Sequence, residues 1–301
     1  MGDKLKAYLQ LCRPANLPTA AADSAAGLAL AGFFYIFYEA DVDINVTVWL
    51  PMVKLLLASI FLYAGGVVLN DVFDAELDRV ERPERPIPKG RVSRYNASVF
   101  GGTLLVLGVL ISFWVTIPSG FIALILVGSI VLYDGLSKKH RFFGPLNMGV
   151  CRALNLLLGL SVFGEFKLWP YAFIPLVFIA AVTMVSRGEV HGNNKKNILR
   201  AAFLYKIVIF CVIGFHEMTT KPMLHYLLFL GLFALLVFKP LASSYAQNNP
   251  DNIRRAVKAG VLSIIVLDAA IAVGHSHWAI GLLLVLLLPL SIFLSKIFAV
   301  T

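Results

Sequence analysis

Apolar side chains fill most of the chain in long runs, and short polar segments separate these runs. A transmembrane helix needs roughly 20 mainly apolar residues, so each run is long enough to cross a bilayer. The pattern predicts ten helices, at residues 16–37, 48–70, 95–116, 119–136, 145–163, 168–186, 198–215, 222–240, 256–274 and 277–299. We therefore expect an all-α fold, a polytopic transmembrane helical bundle of nine to ten spans that forms one integral-membrane domain over residues 1–301.

Basic residues are concentrated in alternate connections between these helices. Lys and Arg are frequent in the N-terminal tail and in the second, fourth, sixth and eighth connections, and sparse in the others. Because positively charged loops stay on the cytoplasmic side, both termini are expected there if ten helices cross the membrane. The same rule explains the net charge of +9, so no nucleic-acid partner is predicted.

The composition excludes several other classes of protein. Hydrophobic residues make up 59% of the chain and charged residues 14%, whereas soluble domains are about 45–50% apolar and about 25% charged. The three cysteines are far apart in sequence, which argues against a disulfide framework and a thiolate metal site. Residues 1–13 are polar and basic, so the first apolar run is expected to be retained as a span.

An acidic and then basic segment, NDVFDAELDRVERPERPIPKG, follows the second apolar run at residues 70–90. Asn70, Asp74 and Asp78 are four residues apart, and four residues of helix advance by about 40° and roughly 6 Å, so the three share one face. Asp71 flanks that face. Oxygen ligands suit Mg²⁺, and later Arg and Lys residues carry the charge that phosphate requires. The alternative is a solvated helix end with ordinary cytoplasmic arginines.

The segment NDVFDAELDRVERPERPIPKGRVS resembles the first Asp-rich signature of the UbiA superfamily of intramembrane prenyltransferases. That signature is N-D-x-x-D-x-x-x-D followed by R-P-[ILV]-x-x-G. Together with LQLCRPANLPTAAADSAAG and SRGEVHGN, it most resembles the EboC-like branch. The resemblance implies a helical bundle around an apolar cavity, in which Mg²⁺ assists departure of diphosphate from a prenyl diphosphate and the allylic cation alkylates an acceptor.

The resemblance also implies the partners and the location of the protein. The partners would be a prenyl diphosphate, a small aromatic or lipid-like acceptor and the lipid bilayer. The membrane would be a bacterial inner (plasma) membrane, with the active site facing the cytoplasm. The catalytic mouth would be built from the loops at 70–94, 137–144 and 186–200.

Motif matching assigns roles to individual residues. Tyr133 resembles an aromatic residue that faces the cation, and Asn16 a polar residue that lines the pocket, although Asn16 could instead cap a helix. The implied catalytic residues are Asp74, Asp78, Tyr133 and Glu189. The implied substrate-binding residues are Asn16, Arg85, Lys89, Arg91, Lys138 and Arg187. The implied Mg²⁺ ligands are Asn70, Asp71, Asp74, Asp78, Glu189 and His191.

The second Asp-rich signature of the family is altered in this chain. Its expected place holds VSRGEVHGNNKKN, in which Arg187 and His191 stand where aspartates are expected and Glu189 remains acidic. Arg187 could neutralise phosphate directly, whereas histidine suits softer metals than Mg²⁺. A solvated basic loop is the alternative. Three functions therefore stay open: an active prenyltransferase, a catalytically lapsed relative that binds or moves prenyl lipids, and an unrelated transporter.

Asp23, Arg152 and Asp268 are charged residues inside predicted spans, where an unpaired charge is costly. Asp23 either faces the cavity or takes part in structural hydrogen bonds. Arg152 is expected in the pocket rather than towards lipid. An unrelated transporter would be expected to have unpaired charges or Gly/Pro-broken helices near the membrane midplane in both halves, and Asp268 is the only good candidate besides Asp23.

Overall fold

The structure is a computed structural model that describes residues 2–35, 46–217 and 222–298, and every regular element in these ranges is helical. The first half contains α1 (Asp3–Leu11), α2 (Leu17–Leu30), α3 (Val46–Phe73), α4 (Ala75–Glu81), α5 (Arg94–Phe113) and α6 (Ile117–Leu132). The second half contains α7 (Phe143–Leu160), α8 (Phe173–Ser186), α9 (Lys195–His216), α10 (Met223–Ala246), α11 (Pro250–Gly274), α12 (Trp278–Val285) and α13 (Leu287–Ile297). The predicted all-α fold is confirmed.

Nine helices within the described ranges are long and apolar enough to cross a membrane. Their bounds lie within a few residues of nine of the predicted spans, and α12 with α13 forms the last one. The exception is the first predicted span, 16–37, where α2 has 14 residues and Gly32 adopts a φ of 77° just after it. A residue at positive φ cannot continue a right-handed helix, which ends α2 early. Residues 36–37 of that prediction lie outside the described ranges.

Helix α2 lies at the centre of the bundle and packs against α3, α7 and α11. Twelve of its fourteen residues are buried, and most of them are small. Small residues let helix backbones approach closely, as transmembrane helices commonly require. A Cβ atom on Gly27 would lie 2.1 Å from the Leu156 carbonyl oxygen, and one on Gly159 would lie 1.9 Å from that of Ser24. Helices α2 and α7 are therefore in backbone contact.

A polar network crosses this contact inside the bundle. Arg152 Nη1 donates to Asp23 Oδ2 over 2.7 Å, and its Nη2 donates to Thr19 Oγ1 over 2.8 Å. Asn155 donates to the same Asp23 oxygen over 3.0 Å. The carboxyl of Asp268, on α11, faces Asp23, and both residues are completely buried. Of the two alternatives for Asp23, the structure shows structural hydrogen bonding.

Candidate active site at the charged end of the bundle

The acidic face at the end of α3 is continuous with the short helix that follows. The Asp74 amide donates to the Asn70 carbonyl over 3.0 Å, and the Asp78 amide donates to the Asp74 carbonyl over 2.8 Å. Helical hydrogen bonding therefore persists through the boundary between α3 and α4. Asn70, Asp74 and Asp78 lie on successive turns, as their spacing predicts.

Arg85 folds back onto this helix end and is only 5% exposed. Its Nη1 donates to Asp78 Oδ2 over 2.6 Å and to Asp71 Oδ1 over 3.1 Å. Arg13 Nη2 also bonds Asp71 Oδ1, over 2.5 Å. Burial raises the pKa of Asp78, and the charge of Arg85 partly opposes that rise. Asp71, expected only to flank the acidic face, is instead shared between two arginines.

The segment after Arg85 forms a tight turn. The Lys89 amide donates to the Arg85 carbonyl, and Gly90 adopts a φ of 72°, a conformation that favours glycine. The turn leaves Lys89 exposed and Arg91 half-buried. Neither residue forms an ion pair with any acid in the described ranges. Both are available to an anionic ligand, as the substrate-binding role requires.

Asn70 and Asp74 face a different set of partners from Asp71 and Asp78. Asn70 Nδ2 donates to Asp134 Oδ1 over 2.6 Å, and Lys138 forms an ion pair with Asp74. Asp134 and Lys138 belong to a π-helical turn, Tyr133–Ser137 and the residue after it, at the end of α6. π-Turns are frequent at functional sites. The structure thus brings the predicted residues Asn70, Asp74 and Lys138 together.

Sequence reasoning missed Asp134. The available signal was its position, because it is an acidic residue at the end of a predicted span and four residues before Lys138. Its neighbour Tyr133 is half-buried on the same turn, within electrostatic range of Asp74 and Arg187. Tyr133 therefore lies at the mouth, where its predicted role places it.

Arg187 connects the loop at 186–200 to the loop at 137–144. Arg187 Nη2 donates to the His140 carbonyl over 2.6 Å, and Arg187 forms no ion pair with an acid in the part of the chain that the structure describes. Burial raises the pKa of Glu189, while the charges of Arg82, Arg254 and Arg13 lower it. Glu189 is thus within electrostatic range of three arginines, and His191 is exposed. The structure shows no contact between these two residues and Asp74.

Asn16 precedes α2, and its side chain makes no capping hydrogen bond. Its carbonyl oxygen accepts a hydrogen bond from Thr19 Oγ1 over 2.7 Å. The helix-cap alternative for this side chain is therefore wrong. Its half-buried position, three residues after Arg13, leaves it close to the mouth.

The oxygen atoms at the mouth fit Mg²⁺ in their chemistry. An amide oxygen of Asn70 and the carboxylates of Asp74 and Asp134 are hard ligands of the kind this ion prefers. Within residues 2–35, 46–217 and 222–298, no three His, Cys, Asp or Glu side chains are grouped so that they could hold a metal. An ion bound by Asn70 and Asp74 would have to displace Lys138 from Asp74.

A model of the UbiA prenyltransferase family matches residues 27–256, about three quarters of the chain. The chain belongs to this family. The matched range includes helices α3 to α10 and the segments 70–90 and 186–193. The resemblance to the EboC-like branch stays a prediction.

Archaeal relatives extend this result. This chain is 34% identical over 161 residues to digeranylgeranylglyceryl phosphate synthase of Methanococcoides burtonii. The match covers 53% of this chain and 56% of the relative. This chain is 29% identical over 181 residues to the enzyme of that name from Saccharolobus solfataricus, covering 60% of each chain. The match thus spans 56% and 60% of the length of these two relatives.

Solved structures share the fold over nearly the whole chain. One, from work on digeranylgeranylglyceryl phosphate synthase in membranes, has a TM-score of 0.66 at 24% identity and covers 91% of this chain and 99% of that one. A UbiA homologue from Archaeoglobus fulgidus bound to DMAPP and Mg²⁺ has a TM-score of 0.63 at 16% identity, covering 89% and 99%. These likenesses show the UbiA fold. The family match and the nine apolar helices of the described ranges indicate an integral membrane protein.

Proposed function

We propose that this protein is an intramembrane prenyltransferase that moves an isoprenoid group from a prenyl diphosphate to a lipid-like acceptor. The observation that carries the proposal is the mouth itself. An amide, several carboxylates and unpaired cations meet at the charged end of a membrane-spanning bundle, in a chain of the UbiA family. Diphosphate departure requires this combination, because its negative charge must be neutralised.

Each set of side chains has a distinct role in the proposal. Asn70 and Asp74 hold Mg²⁺, which when bound supplies the positive charge that stabilises the departing diphosphate. Arg91 and Lys89 bind the diphosphate oxygens from the turn after α4, and Arg187 binds them from the loop at 186–200. Arg85 keeps Asp71 and Asp78 in place.

The allylic cation needs surroundings that exclude water. Tyr133 provides an aromatic ring at the mouth that can stabilise positive charge, and the apolar bundle beneath it excludes water. Asp78 maintains the mouth through its ion pair with Arg85. The metal-binding roles predicted for Glu189 and His191 stay predictions, since three arginines lie within electrostatic range of the first and the second is exposed.

Two considerations support a lipid-like acceptor. The named relatives are synthases of digeranylgeranylglyceryl phosphate, a lipid that combines prenyl chains with a phosphate. The mouth of this chain also has more cations than one diphosphate needs, because Lys139 and Arg141 lie in the same loop as Lys138. An anionic head group on the acceptor would be bound there, with its chain in the bilayer.

A turnover experiment in lipid nanodiscs tests the proposal. Labelled geranylgeranyl diphosphate and Mg²⁺ would be combined with either a glyceryl phosphate lipid that carries one prenyl chain or a simple aromatic acid. We expect the label to move to the glyceryl phosphate lipid. The Asp74→Asn variant should lose this activity, whereas Glu76→Gln should keep it because Glu76 is exposed and pairs with Arg79 on the surface.

Other outcomes separate the alternatives. Transfer to the aromatic acid alone would overturn the lipid-like acceptor and leave the reaction class intact. Binding of the diphosphate without transfer to either acceptor would favour a lapsed relative. Unchanged activity of Asp74→Asn would refute the role of Asp74 in metal binding.

A further inference from the structure

The acids at the end of α3 and in α4 are not equally available to a metal. Arg85 and Arg13 occupy Asp71, and Arg85 also occupies Asp78. These carboxylates are nearly fully buried, and removing a partner from a buried ion pair is strongly destabilising. Of the first signature, the Asn70 amide oxygen and the Asp74 carboxylate therefore remain accessible to a metal ion.

The loop at 186–200, with its altered second signature, does not supply the missing carboxylate ligands. Its remaining acid, Glu189, is close to three arginines, and its backbone carbonyl accepts a hydrogen bond from Arg254 over 3.3 Å. His191 is exposed. A cation held by Asn70 and Asp74 consequently lacks the carboxylates that a second Asp-rich motif would supply.

Asp134 lies where such a carboxylate is needed. Its Oδ1 accepts the Asn70 Nδ2–H bond over 2.6 Å, which places the two side chains in direct contact. Lys138, which pairs with Asp74, also acts electrostatically on Asp134. The ammonium of Lys138 thus contacts the Asp74 carboxylate and lies within electrostatic range of the Asp134 carboxylate, which the Asn70 amide contacts. This is the environment that attracts a small cation.

We propose that Asp134 is a ligand of the Mg²⁺ held by Asn70 and Asp74, and that it replaces a carboxylate of the altered second signature. The inference rests on the proposed function. With a cation held there, Lys138 would leave Asp74 and its ammonium would be free to bind the diphosphate. The π-helical turn makes this possible because it brings Asp134 and Lys138 to the end of α3 together.

Manganese binding measured by electron paramagnetic resonance tests the ligand role without turnover. Mn²⁺ substitutes for Mg²⁺, and inorganic pyrophosphate substitutes for the substrate's head group. In the Asp134→Asn variant the charge is lost, but the new amide oxygen can still accept the Asn70 hydrogen bond. We expect Mn²⁺ affinity to fall about 10-fold or more, whereas Glu76→Gln should bind Mn²⁺ like the wild type, because Glu76 is exposed and pairs with Arg79.

The outcomes distinguish the inference from the proposed function. If Asp134→Asn binds Mn²⁺ as tightly as the wild type, Asp134 only positions Asn70 and the inference is wrong, while the prenyltransferase proposal stands. If the wild type binds no Mn²⁺ with pyrophosphate, both are wrong. The Asp134→Glu variant keeps the charge and should bind more tightly than Asp134→Asn. Equal losses in the two variants would indicate a distorted turn and overturn the ligand role.

Discussion

Asp71, Asp74 and Asp78 of the first signature all pair with cations, and the burial of each pair determines its energetic role. The side chains of Arg85 and Asp78 are 6% and 4% exposed, whereas those of Lys138 and Asp74 are 28% and 19% exposed. A buried pair cannot lose one partner without leaving a desolvated charge behind. A half-exposed pair can separate, because water and salt compensate for the lost contact. The first pair is structural, and the second is free to rearrange around a ligand.

Replacing Arg85 should therefore destabilise the protein, and replacing Lys138 should not. We expect Arg85→Met to lower the free energy of unfolding by about 3 kcal/mol, because Asp78 would be left without a cation. The matched change Lys138→Met should cost less than about 1 kcal/mol. Denaturant unfolding in detergent, followed by tryptophan fluorescence, measures both. Similar losses in the two variants would contradict the distinction.

Residue spacing predicted part of this arrangement and could not predict the rest. Four-residue steps placed Asn70, Asp74 and Asp78 on successive turns, because helical geometry depends only on local sequence. The pairing of Arg85 depends on a turn that folds back over the helix end. Asp134 is 64 positions from Asn70, and such a contact follows from how α6 packs, which spacing cannot reveal.

At the scale of elements, α2 and α7 are held together by close backbone packing and by a buried ion pair. Hydrophobic periodicity predicted both helices, and the bounds of α7 agree closely with residues 145–163. It could not predict which glycines lie at the contact, because Gly128 and Gly159 look alike in an apolar run. Only the structure shows a neighbouring backbone at Gly159 and open space at Gly128.

Substitution of these two glycines tests the packing. Gly159→Ala should lower the thermal unfolding midpoint clearly, because its Cβ would collide with a backbone oxygen that cannot move without separating the helices. Gly128→Ala should leave the midpoint unchanged or raise it slightly, since alanine favours a helix by about 1 kcal/mol over glycine. An undisturbed midpoint for Gly159→Ala would refute the close approach.

A double-mutant cycle tests the ion pair between the same helices. Arg152→Met should be strongly destabilising, because Asp23 would remain buried beside Asp268 with no cation. Adding Asp23→Leu should recover part of the loss, since the uncompensated charge is then removed. Unfolding midpoints of the two single variants and the double variant measure this coupling. Additive losses would show that the two residues act independently.

At the scale of the whole molecule, the two ends of the bundle differ in charge. The end that carries Asp74, Lys138 and Arg187 also holds most of the Lys and Arg residues between helices. The opposite end is joined by hydroxyl contacts such as those of Thr116 and Ser119 with Ser161. Charge alternation along the chain predicted this asymmetry, because the positive-inside rule acts on each loop separately. Charge alternation could not predict which of the loops at the same end of the bundle contact one another.

Cysteine labelling in vesicles of known orientation tests that asymmetry as a membrane topology. In a background with Cys12, Cys151 and Cys211 replaced by alanine, single cysteines at Lys89, Lys196 and Glu165 would each be exposed. We expect a membrane-impermeant maleimide to label the first two from the cytoplasmic side only, and Lys89→Cys to be protected by pyrophosphate with Mg²⁺. Glu165→Cys should react from the other side only. If Lys89→Cys and Lys196→Cys are labelled from opposite sides, the loops at 70–94 and 186–200 lie on different sides of the membrane. A single active site could not then include both loops.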